Sequence, residues 1–137
     1  MNPMPLPRDK LYAVNLALLL THQVDAAYQR EWEMMGVPGG IEFFLLFNFA
    51  VSLPLFLAYR SVVQNTNRSR IAELCLAGVG LLTVLIHSAF FVLGREEFRQ
   101  IGSLLILFLI FIASVLQGMN HRSASETYSE LERKTPQ

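Results

Sequence analysis

Three long stretches of this chain are almost free of charged residues, and they constrain its fold more than any other feature. They cover residues 41–60, 71–93 and 101–119. Each is close to the roughly 20 apolar residues that an α-helix needs to cross the hydrocarbon core of a bilayer. Backbone polar groups in lipid must be satisfied within the segment, so such stretches form helices. The sequence therefore predicts three membrane-spanning helices.

A fourth stretch, residues 11–30, is less apolar because it holds Asn15, His22 and Asp25. We expect a retained helix that the other three shield from lipid. A cleaved signal peptide is less consistent with the sequence, since no clean small-residue cleavage site follows. Short links between the stretches favour antiparallel neighbours. We therefore predict an all-α protein, a four-transmembrane-helix up-down bundle.

This membrane domain is predicted to occupy residues 1–121, and residues 122–137 are predicted to form a cytoplasmic tail. The tail begins with a capping pattern, so it is either a short helix or a disordered segment. Cytoplasmic loops carry an excess of Lys and Arg. The N-terminus, the second link and the tail hold Arg8, Lys10, Arg60, Arg68, Arg70, Arg122, Arg133 and Lys134, and the other links hold Arg30, Arg95 and Arg99. Both termini are therefore predicted to be cytoplasmic.

The composition narrows the classes of partner. The formal net charge is +0, whereas a nucleic-acid-binding surface would need to be basic. Hydrophobic residues make up 53% of the chain and charged residues 16%. The lipid bilayer is the expected partner, and a second membrane protein or a second copy of the chain is compatible with the same composition.

The most informative polar segment covers residues 21–33. If the first helix continues through it, Asp25, Gln29 and Glu33 lie within about 60° of His22 on one face. Glu31 then points to the opposite side of the helix. One stripe would therefore carry an imidazole, two carboxylates and an amide.

The predicted topology brings other polar residues to the same depth. Glu42 lies near the outer rim, whereas Asn48 and His87 lie about two turns from the outer ends of their helices. The predicted site comprises His22, Asp25, Glu33, Glu42 and His87, supported by Gln29, Asn48, Glu31 and Trp32.

Ionisable groups inside a membrane helix are costly and usually face one another. His22, Asp25 and His87 could bind a divalent transition metal, since imidazole and carboxylate suit Zn, Cu, Fe and Ni. The same groups could instead relay protons or form a structural polar core. The chain holds no nucleophile elbow, Walker motif or HExxH, so no catalytic residue is assigned and enzymatic activity is left open.

Three functions are compatible with these residues. The first is a membrane protein that binds a metal, cofactor or small ligand near its outer face. The second is a non-enzymatic accessory subunit of a larger membrane complex. The third is an oligomeric transporter of protons or small solutes. The distance from His22 to His87 tests the first function, because a shared site requires less than a helix diameter, about 10 Å.

Residues 20–26, followed by Glu31-Trp32-Glu33, resemble the first helix of an uncharacterised family of small bacterial membrane proteins. That family has a THxxDA…EW first helix and about four predicted spans. The resemblance covers the first third of the chain and singles out His22, Asp25, Glu31 and Trp32. It implies a multi-pass protein of the bacterial cytoplasmic (inner) membrane and supplies no activity. Glu31 fits this pattern only if the helix bends before it or if Glu31 has a separate role.

Overall fold

The computed structural model of the chain describes residues 7–94 and 100–134, with side chains as far as residue 119. Arg95 and Arg99, which enter the predicted orientation, lie outside the described residues. The described residues form helices and no strand, which confirms the all-α prediction. The helices are α1 (Arg8–Tyr28), α2 (Glu31–Met34), α3 (Gly40–Val63), α4 (Ser69–Val92) and α5 (Ile101–Lys134).

Three segments are long and apolar enough to cross a membrane: α3, α4 and residues Ile101–Met119 of α5. Their surfaces carry large exposed apolar side chains, such as Phe49, Phe56 and Leu85. An exposed apolar surface of this extent needs a non-aqueous environment. These helices indicate a membrane protein. Helix α1 is not among the three, and α5 continues as a helix beyond the predicted span to Lys134.

Helix α1 is the polar member of the assembly, and it buries one face against the other three long helices. Its buried residues include Tyr12, Asn15, Leu19, His22 and Ala26. They recur alternately three and four positions apart, the spacing that places side chains on one helical face. The polar stripe of α1 therefore points into the protein, as expected for a helix shielded by its neighbours.

Two contacts fix the beginning of α1. The Arg8 guanidinium donates from Nε to Glu73 Oε1 at 2.8 Å and from the second terminal nitrogen to Glu73 Oε2 at 2.9 Å. The Tyr12 hydroxyl donates to the backbone carbonyl of Leu55 on α3 at 2.7 Å. Glu73 lies in the first turns of α4, so α1 and α4 begin at the same end of the molecule.

A second polar group lies further along α1. Asn15 Nδ2 donates to Gln117 Oε1 at 2.8 Å and to Ser114 Oγ at 3.2 Å on α5. Beyond it, Leu19 on α1 and Ile110 on α5, one turn from Ser114, belong to the buried apolar core. This core separates the Asn15 group from the polar residues near the other end of α1.

Candidate metal centre

The end of α1 is shaped by an unusual backbone conformation. The helix stops at Tyr28, and Arg30 has φ 57° and ψ 42°, the left-handed region that few non-glycine residues adopt. The chain therefore turns, and the short helix α2 begins with the buried residues Glu31 and Trp32. The Trp32 ring packs against Phe44 of α3 with a centroid separation of 5.2 Å. This contact anchors α2 and directs Glu31 inward.

Two imidazoles meet where α1 and α4 approach their ends. The His22 and His87 ring centroids are 4.6 Å apart, and the rings are nearly perpendicular. The starts of α1 and α4 also lie together, and the two helices run in the same direction. The two histidines lie at similar distances along them and therefore at the same depth in the protein. The separation is well below the helix diameter that a shared site requires.

Glu31 completes the group from α2. Its Oε1 and Oε2 atoms each lie 3.1 Å from His87 Nε2. His22, Glu31 and His87 each offer a ligand atom, and these atoms lie within 4.8 Å of one another. The three residues are buried, with exposed fractions of 3%, 3% and 7%. We call them the metal-ligand triad.

The hydrogen-bond chemistry around His87 requires either one more proton than a neutral imidazole carries or a bound cation. His87 Nδ1 lies 2.9 Å from the backbone carbonyl of Thr83, while its Nε2 faces the Glu31 carboxylate. Carbonyl and carboxylate oxygens only accept hydrogen bonds, and a neutral imidazole has a single N–H. The arrangement therefore needs a doubly protonated ring, a protonated Glu31 carboxyl that donates to Nε2, or a cation between Nε2 and Glu31. His22 Nδ1 is buried and has no hydrogen-bond partner.

Asp25 and Gln29 lie beside the triad on the same face of α1. Asp25 interacts electrostatically with both imidazoles. The side chains are partly buried, and Asp25 Oδ2 and Gln29 Nε2 are fully enclosed without a hydrogen-bond partner. Enclosed polar atoms without partners are rare in folded proteins. A second carboxylate is thus placed next to the triad.

A cavity of about 280 Å³ opens from the triad toward α3. His22, Glu31 and His87 form its polar end. Much of the remaining wall is aromatic or aliphatic, and Asn48 and Thr83 supply polar groups. The remaining lining residues are Gln23, Met35, Val37, Phe43, Phe44, Phe47, Asn48, Thr83 and Ile86.

The structure does not bring every residue of the predicted site to this cavity. Glu33 is exposed and pairs with Arg30 at 3.6 Å, because α1 ends before it. Glu42 is exposed in the first turns of α3. Glu31, which a continuous helix would turn away, is instead a member of the triad. The chain bends before Glu31, at Arg30, which is one of the two ways in which Glu31 can fit the THxxDA…EW pattern.

Two imidazoles and a carboxylate are a ligand set that Zn²⁺ and neighbouring transition metals accept. Together, the helices and the triad define a small helical membrane protein with a buried cluster that could hold a metal ion. The chain belongs to DUF6713, a family of unknown function, whose sequence profile matches residues 8–124. No curated protein and no solved structure matches the chain.

Proposed function

We propose that this membrane protein binds one divalent transition metal ion, with Zn²⁺ as the type case, through His22, Glu31 and His87. The observation that carries the proposal is the convergence of three buried ligand atoms within 4.8 Å, contributed by three different helices. Burying a carboxylate and two imidazoles in an apolar protein is costly unless something compensates them. A bound cation supplies that compensation.

The dimensions of the triad support this proposal. Nitrogen and oxygen ligands lie about 2.0–2.2 Å from Zn²⁺, so two tetrahedral ligands are roughly 3.3 Å apart. The Glu31–His87 distance of 3.1 Å is close to that separation. No separation within the triad exceeds 4.8 Å, so the widest would shorten by at most roughly 1.5 Å on binding. Such a change is within reach of side-chain rotation.

The partner of His87 Nδ1 also supports a metal. Imidazole ligands usually donate their second ring N–H to a carbonyl or carboxylate, which fixes the tautomer and aims the other nitrogen at the ion. The Thr83 carbonyl, at 2.9 Å, is placed for this role. A simple ion pair between Glu31 and protonated His87 would explain the hydrogen bond to the Thr83 carbonyl equally well. It would give no role to the enclosed Nδ1 atom of His22.

We further propose that α1 is a fourth span and that both termini are cytoplasmic, in the inner membrane of a bacterium. Residues 1–121 would form the membrane domain, and residues 122–137 the tail. The distribution of basic residues supports this orientation. The assignment of α1 as a span is supported by its parallel course beside α4, because α4 is itself long and apolar enough to span. The triad then lies in the outer half of the protein.

Metal analysis of the purified full-length chain tests the binding proposal. The protein in mild detergent is stripped with chelator, incubated with Zn²⁺ and desalted. We expect about one ion per chain in the wild type and in Glu33→Gln, an exposed control one turn from the site. His22→Ala and Glu31→Gln should lose most of it. Wild type without bound ion, or equal retention in all four proteins, would refute the proposal.

A second candidate function, association with another membrane protein, is favoured by one observation. A groove of about 480 Å³ between α4 and α5 is lined mainly by apolar side chains, including Val84, Leu107 and Phe111. Gly78 adds open space on α4, whereas Gly80 packs inward on Ser114. Crosslinking in native membranes tests this function. A chain that remains monomeric and uncrosslinked there would contradict it.

A further inference from the structure

We infer that the metal ion bound by the triad takes a small, uncharged ligand with one metal-binding nitrogen or oxygen and an apolar body lying in the 280 Å³ cavity. This inference rests on the proposed function and deepens it. It concerns what occupies the coordination position that the protein leaves open.

The number of protein ligands leaves such a position. Structural zinc sites have four protein ligands, whereas sites that bind water or substrate have three. The triad supplies three, and all three residues line the cavity. A fourth ligand would therefore approach the ion from the cavity.

The size of the cavity limits that ligand. Liquid water occupies about 30 Å³ per molecule, so 280 Å³ corresponds to roughly nine waters. The cavity therefore has room for roughly ten non-hydrogen atoms of the ligand.

The charge of the site favours a neutral ligand. With Glu31 and Asp25 both ionised and both imidazoles neutral, the two carboxylates balance the two positive charges of the ion. A further anion would leave an uncompensated negative charge in a buried, low-dielectric site, which is unfavourable. A neutral nitrogen or oxygen donor adds no charge.

The cavity walls favour an apolar body. Phe43 and Phe47 stack with a centroid separation of 6.5 Å, and Phe44 is held by Trp32. Besides the triad, only Gln23, Asn48 and Thr83 among the lining residues are polar, and the latter two each direct a donor into their own helix. Asn48 Nδ2 donates to the Phe44 carbonyl, and the Thr83 hydroxyl donates to the Val79 carbonyl. A ligand therefore meets mostly aromatic and aliphatic surface beyond the ion.

Probe binding to the Co²⁺-loaded full-length protein tests the inference, because the visible spectrum of Co²⁺ responds to a change of ligand. The probes are 1-methylimidazole, 1-butylimidazole and benzoate. Both imidazoles should perturb the spectrum, and each added methylene should tighten binding by up to about fourfold. Benzoate, an anion of similar size, should bind at least about tenfold more weakly than 1-butylimidazole.

Two variants of α3 localise the apolar contact and control for partitioning of the probe into detergent. Phe47→Ala removes part of the cavity wall. We expect it to lower the affinity for 1-butylimidazole at least about threefold and to leave the affinity for 1-methylimidazole unchanged. Phe49→Ala removes an exposed ring that does not line the cavity. It should leave both affinities unchanged.

The outcomes separate the inference from the proposed function. Failure of Co²⁺ to bind would overturn both. Co²⁺ that binds but does not respond to either imidazole would overturn the inference and leave the metal site standing. Equal affinities for the two imidazoles, tight binding of benzoate, or equal effects of Phe47→Ala and Phe49→Ala would also overturn the inference.

Discussion

The Glu31 carboxylate faces His87 Nε2 with both oxygens at 3.1 Å, although the two residues lie 56 positions apart in the chain. The contact joins the four-residue helix α2 to α4. It exists because Arg30 adopts a left-handed conformation that ends α1 and turns the next residue inward.

Replacement of Glu31 should weaken metal binding far more than replacement of its neighbour. Glu31→Gln removes a charged oxygen ligand, so we expect the Zn²⁺ affinity to fall by at least about tenfold, the loss typical of weaker perturbations around metal sites. Glu33→Gln should change it less than about twofold, because Glu33 is exposed. Competition titration with a fluorescent chelator measures both. Equal effects would place the ion elsewhere.

Metal affinity should fall as the pH falls, because imidazole and carboxylate ligands bind the ion only when deprotonated. Between about pH 8 and about pH 5, the apparent affinity should drop by up to about tenfold per pH unit for each proton that replaces the ion. His22→Ala should make this dependence shallower, since one competing proton is removed. A pH-independent affinity would exclude histidine ligation.

Loss of the Arg8 guanidinium should destabilise the protein. Glu73 is 3% exposed, and Arg8→Ala would leave its carboxylate buried without its charged partner. Arg8 is partly exposed, so we expect a loss of roughly 2 kcal/mol, less than for a fully buried pair. Thermal unfolding in detergent measures it. Lys10→Ala, at an exposed position, should have little effect, and Arg8→Ala with Glu73→Leu should regain stability.

Two glycines of α4 should respond differently to replacement by alanine. A Cβ at Gly80 would collide with Ser114 Oγ and lie 3.2 Å from Ile110 Cγ2, whereas a Cβ at Gly78 meets nothing within 4 Å. Gly80→Ala should destabilise by about 1–3 kcal/mol through overpacking. Gly78→Ala should be neutral or stabilise by up to about 1 kcal/mol through helix propensity. Thermal unfolding of both variants gives the comparison, and equal shifts would contradict this packing.

The sequence predicts the helices well because their cause is local. Long apolar runs must form helices, and α3, α4 and α5 begin within two residues of the predicted starts. The meeting of His22 and His87 follows from depth, since both lie a similar distance from the ends of helices that run the same way. That part of the site needs only helical rise and topology.

The choice between Glu31 and Glu33 depends on one backbone conformation that the sequence does not reveal. A straight helix would place Glu33 on the same face as His22. The left-handed conformation of Arg30 instead turns Glu31 toward the histidines and leaves Glu33 exposed. Nothing in the residue type of Arg30 signals φ 57°, because arginine rarely adopts it. The burial of Trp32 against Phe44 is the tertiary contact that compensates for this conformation. In the sequence, only the Glu31-Trp32 pair of the family resemblance points to it.

The apolar core at Leu19 and Ile110 has an electrical consequence. If α1 spans the bilayer, little of the membrane potential falls across the polar ends, so most of it acts on this insulating layer. An ion held by His22 would then exchange with a single aqueous compartment. The occupancy of the site would therefore depend on the metal concentration in that compartment alone. It would not depend on a concentration gradient across the membrane.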